Sequence, residues 1–160
     1  MSTRLTKNNT PMVESRSLRL AFASRRLHEA ILQRVASHLI EMGYEAATPA
    51  ALDFLGALEC GDNHASEIAR MMGVSRQWVA KNVARFCRLD YLEQIPGASR
   101  GKRIVFTARG ETLMADARRE LAALDAILIR SIGASSLEQL VETTGSVARQ
   151  LEIGDNSIAH

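Results

Sequence analysis

Cysteine is nearly missing from this chain: there are two, Cys60 and Cys87, far apart and without paired CxxC spacing. That excludes a disulfide framework and argues for a reduced, intracellular protein without a zinc site. Proline is as rare, with three in 160 residues, and aromatic side chains supply only 4%. Few helix breakers, and an apolar fraction made largely of Ala and Leu, favour helices over sheets. No apolar run approaches the roughly 18 residues that a membrane span requires. The amino terminus, MSTRLTKNNTPMVESRS, has no apolar segment of the kind a secretory signal needs. These absences lead us to expect a cytoplasmic protein with no membrane partner, its residues 1–15 forming a flexible arm.

Catalytic signatures are missing as well. The chain holds no cleft-type carboxylate pair, no Ser/His/Asp or Cys/His arrangement and no phosphate-cradling glycine loop. Its four histidines (His28, His38, His64, His160) fit no metal spacing. The sequence therefore predicts neither an enzyme nor a cofactor.

What the chain does have is charge gathered in one place. Residues 63–109 carry nine basic side chains against three acidic ones, while the net charge of the whole is only +2. Residues 1–62 are balanced and residues 110–160 are acidic. Cations concentrated on one module are the electrostatic footprint of nucleic-acid binding.

The helical and strand periods divide the chain. Leu20, Leu27, Ile31, Val35, Leu39 and Met42 recur at helical spacing over residues 16–43, and Gly43 stops that helix. Thr48-Pro49 is a cap followed by proline at the first helical position, opening a second helix that ends near Glu59. Ser66 is placed to cap a third helix ended by Gly73, and Ser75 to cap a fourth running to about Leu89. The period then changes to two. Residues 91–95 and 103–106 read as strands joined by Pro96-Gly97-Ala98-Ser99-Arg100-Gly101. Thr107 caps a fifth helix broken by Gly133, and Ser135 with Glu138 predicts a capping box opening a sixth at about 136–151.

The expected fold is mainly α with a small β-hairpin wing: a winged helix-turn-helix over residues 46–107, flanked by dimerisation helices at 16–45 and 108–160, in one compact domain. The long terminal helices have more apolar surface than the central module can cover. A second copy of the chain is the natural cover, so a homodimer is expected.

At 100° per residue the fourth helix has two faces. Gln77, Lys81, Arg85 and Arg88 share one arc with Trp78 and Asn82 at its edge, while Val79, Val83 and Phe86 lie opposite. A long, cationic face on a helix fits the DNA major groove. Arg76 and Arg85 suit paired hydrogen bonds to guanine, Gln77 and Asn82 suit adenine, and Lys81 suits a phosphate. Ser66 and Ser75 offer hydroxyls and backbone N–H groups to phosphates. Trp78 suits either a thymine methyl or packing against the module. Arg100, Lys102 and Arg103 put three cations around the glycines of the hairpin, where they can meet a minor groove or the backbone.

The stretches MGYEAATPAALDFLGAL, ASEIARMMGVSRQWVAKNVARFCRLDYLEQ and IVFTARGETL carry a resemblance to the MarR family of winged-helix transcription regulators over roughly residues 18–151. The resemblance implies a homodimer on a pseudo-palindromic double-stranded DNA operator, often a repressor. It also implies release by a small aromatic or phenolic effector held near the dimer helices, for which His28, His38, Met42 and Phe54 are the candidates. Some members sense oxidants through cysteine, which makes Cys87 and Cys60 candidates in a redox alternative. A winged-helix protein-interaction module without specific DNA binding is the other alternative. Two positions depart from the family pattern: Ala98 replaces an aspartate that orients the wing arginine, here Arg100, and Asp90 stands where glycine is usual.

Overall fold

The computed structural model describes residues 15–60, 63–97 and 102–156, with side chains for all of these except 59, 60 and 153–156. Residues 1–14 of the expected arm, residues 98–101 of the hairpin tip with Arg100, and the last four residues lie outside the described residues; Ser15, expected in the arm, instead caps α1. In chain order the elements are α1 (Arg16–Glu41), α2 (Pro49–Cys60), α3 (Ala65–Met72), α4 (Arg76–Arg88), β1 (Leu92–Pro96), β2 (Lys102–Phe106), α5 (Ala108–Ile132) and α6 (Ala134–Asn156).

Local chemistry sets most of these boundaries. Ser15 caps α1 by accepting a hydrogen bond from the Leu18 N–H at 3.2 Å. Met42 closes that helix, and Gly43 (φ +98°) turns the chain out of it. Thr48 Oγ1 accepts from the Ala51 N–H at 3.2 Å and starts α2. Gly73, at φ +64°, ends α3 in the left-handed region that glycine enters freely. The Ser75 hydroxyl then accepts from the Trp78 N–H at 3.1 Å to open α4.

Two expected caps are elsewhere. α3 begins two residues earlier than a Ser66 cap implied: the Glu67 and Ile68 N–H groups both donate to the His64 carbonyl, at 3.0 and 3.1 Å. His64 is therefore the N-cap residue, and Ser66 sits exposed inside the first turn. α6 likewise starts at Ala134 rather than 136, because Gly133 (φ +86°) reverses the chain at once and its carbonyl accepts from the Leu137 N–H. Ser135 is thus within the helix. α6 also continues to Asn156, past the expected end near 151.

The chain forms two compact units that divide after Leu113, a boundary that falls within α5. In the first unit, α1 packs on α2, α2 on α3, α3 on α4, and α4 on β1. β1 and β2 pair antiparallel, from Leu92 opposite Phe106 to Pro96 opposite Lys102. The Ile104 N–H donates to the Asn63 carbonyl at 3.0 Å, which ties β2 to the start of the helix-turn-helix.

The centre of this unit is an aromatic stack. Phe54 lies 5.7 Å from Phe86 with nearly parallel rings, and Trp78 meets Phe54 edge-on at the same distance. Tyr91 adds an edge to Phe86 at 6.5 Å. Each such pair stabilises by about 0.5–1.5 kcal/mol beyond the area it buries. A chain with so few aromatics has placed four of them where α2, α4 and β1 meet.

Apolar side chains also remain in water. In α1, Leu18, Leu20, Phe22 and Leu27 are exposed, and burial begins only around Val35, Ala36 and Leu39. In the second unit, Leu121, Ile127, Ile129, Ile132, Leu140, Val141 and Leu151 are exposed along α5 and α6. Among the described residues no helix is long and apolar enough to cross a membrane.

Candidate nucleic-acid interface

α4 is fixed by its inner face. Val79, Val83 and Phe86 are each 1% exposed or less, so rotation of the helix about its axis would expose large apolar side chains. Burying each of these contributes about 1.5–3 kcal/mol, which locks the opposite arc outward. Gln77, Lys81, Arg85 and Arg88 are all exposed there, while Arg76, exposed in the first turn, lies toward the side of Val79 and Val83. Alanines at 80 and 84 leave room between these longer side chains.

The cations differ in how free they are. Arg70 of α3 is committed to Glu67, with hydrogen bonds at 2.5 and 3.2 Å from its guanidinium. Among the described residues no carboxylate pairs with Arg76, Lys81, Arg85 or Arg88. These four are open to an outside partner.

Trp78 and Asn82 stand differently from their neighbours. Trp78 is half-buried with its ring edge against Phe54, so packing claims most of the indole. The Asn82 amide nitrogen donates to the Trp78 carbonyl at 2.9 Å, which directs its donor along the helix and leaves the amide oxygen as the freer atom. Ser75 is exposed, with its oxygen engaged by the Trp78 N–H.

The wing is held to α4 by a compact knot. Asp90 adopts φ +59°, the single non-glycine left-handed residue among those described, at the position where the family pattern has glycine. The Tyr91 N–H donates to the Phe86 carbonyl at 2.9 Å, ending α4. Thr107 Oγ1 donates to the Asp90 carbonyl at 2.5 Å and accepts from the Gly110 N–H at 3.1 Å. The Thr107 N–H donates to the Tyr91 carbonyl at 3.1 Å. The phrase Thr107-Ala108-Arg109-Gly110 thus fastens the exit of β2 to the entrance of β1. Lys102 and Arg103, exposed at the start of β2 opposite Pro96 and Ile95, are carried on that frame.

Of the four effector candidates, His28 is the one that lines the space between α1 and α2. His28 borders an open space of about 670 Å³ between α1 and α2, with Arg26, Gln33, Pro49 and Asp53. Its Nε2 is 3.5 Å from Asp53 Oδ1. Phe54 is wholly buried in the aromatic stack, and Met42 is the exposed cap residue of α1; neither lines that space, nor does His38. Asp53 was missed from sequence because it reads as one polar residue on an otherwise apolar helix, and only the packing of α2 on α1 brings it to His28. Cys87 is half-buried, and its thiol pKa is raised by burial and then by the nearby Glu93. That is the reverse of activation, which needs a stabilised thiolate. The Cys60 side chain lies outside the described residues. Among the described residues no cluster of three or more His, Cys, Asp or Glu is placed to hold a metal.

A basic helix-turn-helix, a hairpin wing and long flanking helices make up the fold of the MarR-type winged-helix transcription regulators. Solved structures with this fold include a MarR-family transcriptional regulator from Rhodococcus sp. RHA1. It shares 20% identity with a TM-score of 0.66 over 85% of this chain and 98% of that one. The oxidized form of MarR from E. coli gives 15% identity and a TM-score of 0.65, over 86% of this chain and 96% of that chain. CouR from Rhodococcus jostii RHA1, bound to p-coumaroyl-CoA, gives 19% and 0.64 over 85% and 96%. No protein-family model and no curated protein matches the sequence.

Proposed function

We propose that this protein is a DNA-binding transcription regulator of the MarR type, acting as a homodimer on a pseudo-palindromic operator. The observation that carries the reading is the outward arc of α4: four long polar or cationic side chains exposed, with their backs fixed by Val79, Val83 and Phe86. Arg76 and Arg85 read guanine, Gln77 reads adenine, Lys81 meets phosphate, and Lys102 and Arg103 brace the backbone. The exposed apolar residues of α1, α5 and α6 supply the dimer surface. Repression is relieved by a small molecule in the space beside His28 and Asp53, whose size of about 670 Å³ suits an aromatic ligand.

The test is titration of a fragment from the chain's own upstream region at several salt concentrations. Affinity should fall with a log–log slope of about −0.9 per phosphate neutralised. Selection from a random pool should return two half-sites about one helical turn apart. Salt-independent binding, or a single asymmetric site, overturns the reading.

A further inference from the structure

Beside the C-terminal turn of α4, three guanidinium groups line one cavity of about 580 Å³: Arg85 and Arg88 from that helix and Arg109 from the first turn of α5. Glu45, from the loop before α2, is the one carboxylate in its wall. Among the described residues none of the three arginines is paired with an acid, Glu45 included. Like charges gathered without partners repel, so the arrangement gains stability when an anion enters.

Two of the three are also held in place by aromatic rings. Arg109 lies over the Tyr91 ring at 4.8 Å, and its Nη2 is 3.4 Å from the tyrosine oxygen. Arg85 lies 5.4 Å from the centroid of Phe86. Guanidinium planes fixed in this way lose little freedom on binding, and their paired N–H groups match the oxygens of a phosphate or carboxylate.

We propose that this cavity is a binding site for a small oxyanion, the phosphate or carboxylate head of an organic anion. The site is separate from the space beside His28 and uses Arg109, which stands outside the helix-turn-helix. Arg85 belongs both to the cavity and to the outward arc of α4, so an anion holding its guanidinium opposes base reading. That last link rests on the DNA-binding reading; the site itself does not.

The experiment is calorimetric titration of the full chain with inorganic phosphate at fixed ionic strength. We expect saturable binding with a dissociation constant on the order of millimolar. Arg109→Gln should weaken it about tenfold or more, since a hydrogen bond to a charged group is being lost. Arg88→Gln should act alike, which covers the case in which Arg109→Gln disturbs packing on Tyr91. Glu45→Gln should tighten binding severalfold, a gain that misfolding cannot produce. Arg34→Gln, on the exposed side of α1, should change nothing. Unsaturable heat, or affinity indifferent to both arginine substitutions, overturns the proposal. In phosphate-free buffer Arg109→Gln should keep DNA affinity. Loss of DNA affinity without any saturable phosphate binding assigns the arginines to the duplex backbone and refutes a small-anion site. A chain that binds phosphate but no DNA refutes the regulator reading while leaving the site standing.

Discussion

Gly110→Ala should be among the most damaging single methyl additions in this protein. A Cβ at that position would lie 2.0 Å from the Tyr91 carbonyl oxygen and 3.0 Å from Phe106 Cδ1. Cβ atoms essentially never come closer than 3.0 Å to such neighbours, so the chain must separate there by about 1 Å. The oxygen has little room to retreat, because it accepts the Thr107 N–H at 3.1 Å and belongs to a residue only 2% exposed. Overpacking of this kind costs about 1–3 kcal/mol and occasionally more. Breaking the Thr107–Tyr91 bond leaves a buried acceptor unpaired, for a further penalty of about 1–3 kcal/mol. Alanine returns only about 0.5–1 kcal/mol of helix propensity. The net is a loss of roughly 1–5 kcal/mol, or about 3–15 °C in Tm for a domain of this size. Far-UV circular dichroism on heating measures it directly. A Tm within about 2 °C of the parent would refute the account of how the wing is fastened to α4.

The opposite is expected at Asp90, whose φ of +59° is strained for a side chain. Asp90→Gly should leave stability within about 1 kcal/mol of the parent or raise it, whereas Asp90→Val should lower it by about 1–2 kcal/mol in the same melts. Phe86→Ala empties the middle of the aromatic stack and should cost about 3–5 kcal/mol in urea unfolding; a loss below about 1 kcal/mol would mean that Phe54, Trp78 and Tyr91 hold the unit without it. Lys81→Ala should weaken operator binding nearly equally for all sequences and reduce the salt slope by about one phosphate, with altered base preference as the contrary result. The Cys87 thiol has its pKa raised in the folded chain by burial and by Glu93, so it is neutral at physiological pH. Its contribution to stability is complete below the unfolded thiol range, near pH ~8.5, and is lost as pH rises through the higher folded value. Peptide mapping after alkylation at pH ~8 should find Cys87 modified more slowly in the native chain than in urea.

Much of the architecture is written in short-range chemistry. Thr48-Pro49, Ser75, Gly43 and Gly73 each act on backbone within a few residues, so the helices they bound were legible from the chain alone. The same holds for the two faces of α4, since its apolar residues recur at helical period and end up buried. Where a local signal misled, a rival lay just as near: His64 takes the cap role ahead of Ser66, and Gly133 opens α6 before Ser135 can.

What sequence could not contain is which distant groups meet. Phe54 looked like a wall for a ligand, and packing made it the centre of an aromatic stack with Phe86 and Trp78. His28 and Asp53 face each other only because α1 lies on α2. Arg109, one basic residue among nine in its stretch, acquires its setting from Tyr91 and from two arginines on another helix. Caps and periodicity are settled over one or two turns of chain, so the order of residues determined the elements and the cationic face. Convergence of side chains across elements depends on how those elements pack, and tertiary structure alone decided which charges stand together without a counter-ion.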